Sequence, residues 1–363
     1  MTGGWSDALH EAAVIGTGLT DFGDGTYQAG LDVLLRSVDD EIPHARDIAS
    51  AFLIPHLQAR LLTEQGWKEM PQASARSTKA PLIIIGLPRS GTTALHKLIS
   101  ADLQFQGLES WLCWHPMPRP ARDKWAEVPV YREFKAQREA SYANNPKLRT
   151  AHAVDVDEVD ECLVPLSQQF SSNLFVSMLG TRAFTEWHEA SDEVASYSRF
   201  KDIMQLVSST EPDPARRWLL KNPGHTYNID ALLNAFPDAL IVQTHRNTAA
   251  IVASVSSVLA TMRGMMLGDV DVAALARREM RYWSEAARRT MAAQDRRPER
   301  FFNVDYRAFV ADPMASVRTI YNRFGLTLEP SAERAMHDWI AANPQNKHGR
   351  HTYALVDFGL DDA

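Results

Sequence analysis

The sequence predicts an α/β fold. Its elements are a central parallel sheet flanked by helices, a strand, turn and helix of the phosphate-loop type, an N-terminal helical layer and a helical insertion. Residues 82–85 (LIII) form a short, aliphatic, β-branched run of the kind a strand buried on both faces requires. Similar runs recur at 218–220, at 239–244 and, with aromatics, at 301–304. The first three of the four are each followed by a polar turn and a helical pattern, the rhythm of a parallel sheet covered on both faces.

In chain order, residues 29–64 place apolar side chains three and four apart and predict helices interrupted near Pro43 and Pro55. With the rest of 1–75 they are expected to pack on the core as a helical layer. Residues 71–81 (PQASARSTKAP) are small and polar and read as a connector. Segments 80–120 and 216–363 carry the strand patterns and predict the α/β core. Residues 120–215 show charges and aromatics at helical spacing without a strand pattern, and are expected to cover the mouth of a site. One large domain is expected over all 363 residues.

The apolar content of 45% is ordinary for a globular protein, and the net charge of −7 argues against a general nucleic-acid surface. Any anion must therefore meet a local group of cations. The two cysteines, Cys113 and Cys162, form no CxxC pair, so neither a disulfide framework nor a zinc site is expected. No leader pattern opens the chain, and the most apolar long stretch, 248–268, holds three serines and Arg263, too polar for a membrane span. A cytoplasmic protein without a metal is expected.

The turn after the first strand reads Gly86-Leu87-Pro88-Arg89-Ser90-Gly91-Thr92-Thr93, with a helix expected from near Thr93. Glycines at this spacing let successive N–H groups point inward at the positive end of a helix, where an anion is favoured. The spacing is that of GxxxxGK[ST], but Thr92 stands in the lysine position and the cation lies within the turn as Arg89. A triphosphate site needs that lysine and a magnesium ligand, so a less charged donor fits better. The loop alone leaves phosphate and phosphosulfate both open.

PRSGTT after an aliphatic strand resembles the 5′-phosphosulfate loop of sulfotransferases that use 3′-phosphoadenylyl sulfate (PAPS). The resemblance spans residue 81 to the C-terminus, and implies that Arg89, Ser90, Gly91, Thr92 and Thr93 bind the donor. It further implies a 3′-phosphate site at Arg246 and Ser254, eight residues apart, where a guanidinium gives two hydrogen bonds and a helix-borne hydroxyl a third. Tyr306, seven residues before Pro313, corresponds to a tyrosine near the adenine. Lys347, Gly349 and Arg350 resemble a basic loop that closes over the 3′-phosphate.

Sulfuryl transfer, like phosphoryl transfer, proceeds in line through a loose transition state, so the protein's task is positioning and charge stabilisation. By the same resemblance, Lys221, 25 residues before Arg246, neutralises the bridging oxygen together with Arg89. The base expected from the resemblance is Glu109, 20 residues after Arg89, or else His225, four after Lys221; the acidic run 155–162 (DVDEVDEC) is a weaker third option. Some bacterial relatives place a glutamate where this chain has Leu112. Trp111, Trp114, Met117, Phe170, Phe175 and Met178 are candidates for an apolar acceptor pocket. The expected partner is a small or medium acceptor with a hydroxyl, or an amine, and an apolar part, taken by a protein with no nucleic-acid partner and a possible homodimer. The rivals are a phosphate-loop kinase or hydrolase, which lacks its lysine and a strand-end aspartate here, and a nucleotide-binding protein without catalysis.

Overall fold

The computed structural model describes residues 3–145, 154–344 and 358–359. Five parallel strands form one sheet: β1 (Leu82–Gly86), β2 (Phe105–Gln106), β3 (Arg217–Lys221), β4 (Leu240–His245) and β5 (Phe301–Asp305), in the order β2-β3-β1-β4-β5. Register sets Ile84 beside Lys221 on one side and Val242 on the other, and Gly86 beside Thr244. The alternation of the strands divides the core. Leu82, Ile84, Leu219 and Val242 pack with the helix Thr92–Ile99 and the C-terminal helices Pro313–Phe324 and Pro330–Ala342. Ile83, Ile85, Leu220 and Ile241 pack with the helices Val194–Val207 and Ile229–Ala235. Both faces of β1 are thus covered, which is why its sequence is apolar throughout.

The four predicted strands are present, each extended by one polar or small residue at one or both ends except 239–244, which shifts by one residue. The fifth, β2, is two residues long at the sheet edge, too short to leave a periodic signal. The connections run to opposite edges of the sheet from β1 and β4: that of β1 leads toward β2, whereas that of β4 leads toward β5. The crevice above the C-terminal ends of β1 and β4 is therefore the switch point at which α/β sheets receive ligands.

The N-terminal layer is helical but differs from expectation twice. Pro43 does break the helix Gln28–Glu41 from the next, whereas Pro55 lies inside the continuous helix Arg46–Glu69. Proline removes one backbone donor, yet buried Leu53, Leu57 and Leu61 anchor the helix through that turn. The layer also rests on the insertion and not on the sheet: Leu31, Leu34, Leu53 and Leu57 share a cluster with Phe170, Phe175 and Phe184. A Cβ at Gly30 would lie 2.3 Å from the Phe170 carbonyl oxygen, so this helix approaches as closely as it does only because residue 30 is glycine. No helix among the described residues is long and apolar enough to cross a membrane.

Candidate active site

The turn between β1 and the helix Thr92–Ile99 is built from backbone conformations that side chains resist. Gly86, Arg89 and Gly91 all have positive φ, 148°, 65° and 89°. Gly86 must lack a side chain, since a Cβ there would meet the Thr244 hydroxyl at 2.3 Å. Arg89 is held in its left-handed conformation by contacts on both sides: its Nε donates to Ser254 Oγ at 3.2 Å, and its carbonyl accepts from Arg246 Nη1 at 2.7 Å. The Arg246 guanidinium lies 4.7 Å from the centre of the Tyr306 ring, and a Cβ on Gly91 would touch that same ring at 2.8 Å. Arg89, Gly91, Arg246, Ser254 and Tyr306, spread over more than 200 residues of sequence, thus form one cationic, hydroxyl-bearing cradle at a helix N-terminus.

Ser90 differs from the rest of the loop. It is fully buried, and its hydroxyl donates to the Leu87 carbonyl at 2.6 Å and pairs with Thr244 Oγ1 at 2.7 Å, so its side chain braces the turn from behind. Lys347, Gly349 and Arg350 lie outside the described residues.

Lys221, at the end of β3, is 1% exposed. A lysine that deep requires a partner, and it has two: an ion pair with Glu161 and a hydrogen bond to Thr93 Oγ1 at 3.1 Å. Glu161 reaches that place because the Cys162 amide donates to the Lys221 carbonyl at 3.0 Å, which fastens the end of the acidic run to the end of β3. The preceding Asp160 accepts from Ser110 Oγ at 2.9 Å.

A cleft of about 830 Å³ joins these groups. One part is lined by Arg89, Gly91, Thr92, Thr93, Arg246 and Tyr306, another by Asp160, Glu161 and Asn222. Much of the remaining wall is apolar. Val255, Val258, Leu259 and Met262 contribute the same face of the helix Thr248–Leu267 that carries Ser254 nearer its start. Leu174 and Met178, on the helix Asn173–Leu179, line it as well. Arg263 ties the two helices together, its Nε donating to the Ser177 carbonyl at 2.6 Å and its Nη2 to that of Val176 at 2.7 Å.

Neither first-choice base lines this cleft. Glu109 is 9% exposed and paired with Arg119 at 3.1 Å. His225 is fully buried; its Nδ1 shares a 2.7 Å hydrogen bond with the Tyr197 hydroxyl, and burial, aided by the charge of Lys221, pulls its pKa down to about 3. The carboxylates in the cleft near Lys221 come instead from the acidic run. Of the six residues expected to line an apolar pocket, Trp114 and Met178 do so. Trp111, Phe170 and Phe175 are fully buried core, and Met117 packs against the core cluster beside Trp111. Among the described residues no group of three or more histidine, cysteine, aspartate or glutamate side chains is arranged to hold a metal.

Comparison with known proteins gives a consistent result. A family model described as the sulfotransferase family matches residues 81–330. The omega-hydroxy-beta-dihydromenaquinone-9 sulfotransferase Stf3 of Mycobacterium bovis is 22% identical over 262 residues, 68% of this chain and 63% of the relative, and the Mycobacterium tuberculosis protein of the same name gives the same values. The chain thus matches less than two thirds of the length of these curated relatives. The crystal structure of sulfotransferase STF1 from Mycobacterium tuberculosis H37Rv superposes with a TM-score of 0.88 at 35% identity, over 98% of this chain and 95% of that one. STF9 from Mycobacterium avium gives a TM-score of 0.88 at 25% identity, over 98% and 92%.

Proposed function

The chain belongs to the sulfotransferase family, and from that membership we propose that it moves a sulfuryl group from PAPS to the hydroxyl of an acceptor with an apolar body. The observation that carries this reading is one cleft lined both by Arg89, Arg246 and Tyr306 of the cradle, which Ser254 backs, and by Glu161, which pairs with the buried Lys221. The cradle supplies cations and hydroxyls for the two phosphates of the donor. The loop amides and the hydroxyls of Thr92 and Thr93 face the sulfuryl group, and Tyr306 the base.

Glu161 is the base in this reading, in place of Glu109 or His225. Paired with Lys221, it accepts the acceptor's proton as the oxygen attacks sulfur. The bond from sulfur to the leaving phosphate oxygen breaks in line with attack, and charge collects on that oxygen. Proton transfer neutralises Glu161, which frees the Lys221 ammonium to stabilise the leaving group. One ion pair thereby serves both ends of the reaction.

The apolar wall supports a hydrophobic acceptor, and the name of the Stf3 relatives, whose acceptor is a hydroxylated menaquinone derivative, points to the same class. The test is calorimetric titration with adenosine 3′,5′-bisphosphate, the desulfated donor, beside ATP with magnesium. Binding of the bisphosphate, weakened about tenfold or more in Arg246→Ala, with weak ATP binding, is the expected result. Tight ATP binding and no response to the bisphosphate would overturn it.

A further inference from the structure

Asn222 follows Lys221 and lines the same cleft, yet its own surroundings leave it half used. It is 3% exposed, in extended conformation (φ −160°, ψ 129°), and its Oδ1 accepts from the Gly224 amide at 3.0 Å to cap the short turn Pro223–Thr226. Because an N–H can donate only to the oxygen, this bond fixes which end of the amide faces the turn. Nδ2 is left as a donor with no partner among the described residues. A Cβ at position 224 would lie 3.3 Å from Nδ2, tighter than ordinary contact, so glycine there leaves the amide its place. An oriented donor in a cleft wall shared with the Glu161 carboxylate suits an oxygen that must accept one hydrogen bond and donate another.

Resting on the sulfuryl-transfer reading, we infer that Asn222 is a further catalytic residue: its Nδ2 donates to the acceptor oxygen while that oxygen's proton points at Glu161. The amide neither gains nor loses a proton in the reaction. It fixes which lone pair remains free to attack sulfur.

Aspartate at this position keeps the oxygen that caps the turn and removes the donor, so Asn222→Asp separates the two roles, which Asn222→Ala removes together. The experiment titrates protein saturated with adenosine 3′,5′-bisphosphate with 1-octanol and, separately, with 1-methoxyoctane, whose oxygen can accept a hydrogen bond but has no proton to give. Both variants are expected to bind both probes about fivefold more weakly than the wild type, with the near-ultraviolet circular dichroism of Asn222→Asp retained. Weakening in Asn222→Ala alone would assign Asn222 to the turn and overturn the inference. So would wild-type affinity in both variants, or a wild type that binds the bisphosphate but neither probe. A wild type that fails to bind the bisphosphate overturns the sulfuryl-transfer reading and this inference with it.

Discussion

Glu193 is a carboxyl group with almost no access to water: it is 3% exposed, and its Oε1 has no hydrogen-bond partner. Burial pushes its pKa up to about 8, against a smaller opposing effect from the Asn228 side chain, while burial pulls that of neighbouring His188 down to about 4. The 3.7 Å contact between them is thus a contact of neutral groups near neutral pH, not an ion pair. The sign of the linkage follows. The folded chain keeps the Glu193 proton up to about pH 8, whereas the unfolded chain loses it near 4.5, so this group's contribution is complete below 4.5 and is lost as pH rises through 8. Glu193→Gln, which cannot ionise, should be more stable than the wild type above about pH 7, since each tenfold difference in proton affinity between the folded and unfolded chains is worth about 1.4 kcal/mol. Chemical unfolding at several pH values checks this, and parallel pH dependence in the two proteins would refute it. Lys221 and Glu161 show which residues a sequence can reveal. Lys221 stands at the end of a recognisable strand at a fixed distance from Arg246, so it was legible. Glu161 lies 60 residues away in a run of carboxylates, and only the bond from the Cys162 amide to the Lys221 carbonyl singles it out. Spacing from Arg89 or Lys221 points to Glu109 or His225, both of which are buried and neither of which lines the cleft.

The strand, turn and helix at 82–99 are the best specified elements, because local chemistry decides them: a doubly buried strand, glycines where φ is positive, and a helix start. Gly91 serves as the N-cap of that helix at φ 89° and lies under the Tyr306 ring. In Gly91→Ala the left-handed conformation costs about 1 kcal/mol, and the methyl group pushes Tyr306 from beneath Arg246. Bisphosphate affinity should fall about tenfold or more with secondary structure retained, as titration and circular dichroism would show. Unchanged affinity would mean that the ring is free to give way. Elements that depend on distant partners were less legible. Pro55 announces a helix break by every local rule, yet the helix passes through it because Leu53, Leu57 and Leu61 are held in a buried cluster. β2 exists only because its two residues pair with Arg217 and Trp218 of β3. The aromatic residues of the insertion had the spacing of either core or pocket, and for Phe170 and Phe175 burial against the N-terminal layer decided the matter.

At the scale of the whole molecule, the interior holds several neutral imidazoles. His56 and His188 have pKa values lowered to about 4, His96 and His225 to about 3, in each case chiefly by burial. For His96 and His225 the nearby charge of Lys221 adds to the effect. Their Nε2 atoms have no partner, so protonation in place would create buried cations without compensation. An unfolded chain takes up these protons below about 6.5, and the folded chain refuses them until about 3 to 4. Stability contributed by these groups is complete above 6.5 and falls as pH drops toward 4. Glu193 acts in the opposite sense between 4.5 and 8, but one carboxyl opposes four imidazoles, so from 6.5 downward the acid-labile side prevails. These four residues join the N-terminal layer, the helix after the phosphate loop, the insertion and the end of β3, so a protonation that opens one of them loosens the seams between layers. The expected outcome is a cooperative loss of near-ultraviolet circular dichroism between about pH 6 and pH 4, with the protein taking up more than one proton as it unfolds. The bisphosphate should move that transition to lower pH, because a ligand that binds only the folded cradle stabilises it by mass action. A transition unmoved by saturating bisphosphate would mean that the layers come apart while the cradle stays intact, separating the sheet and its phosphate loop from the helices around them as a unit that opens independently.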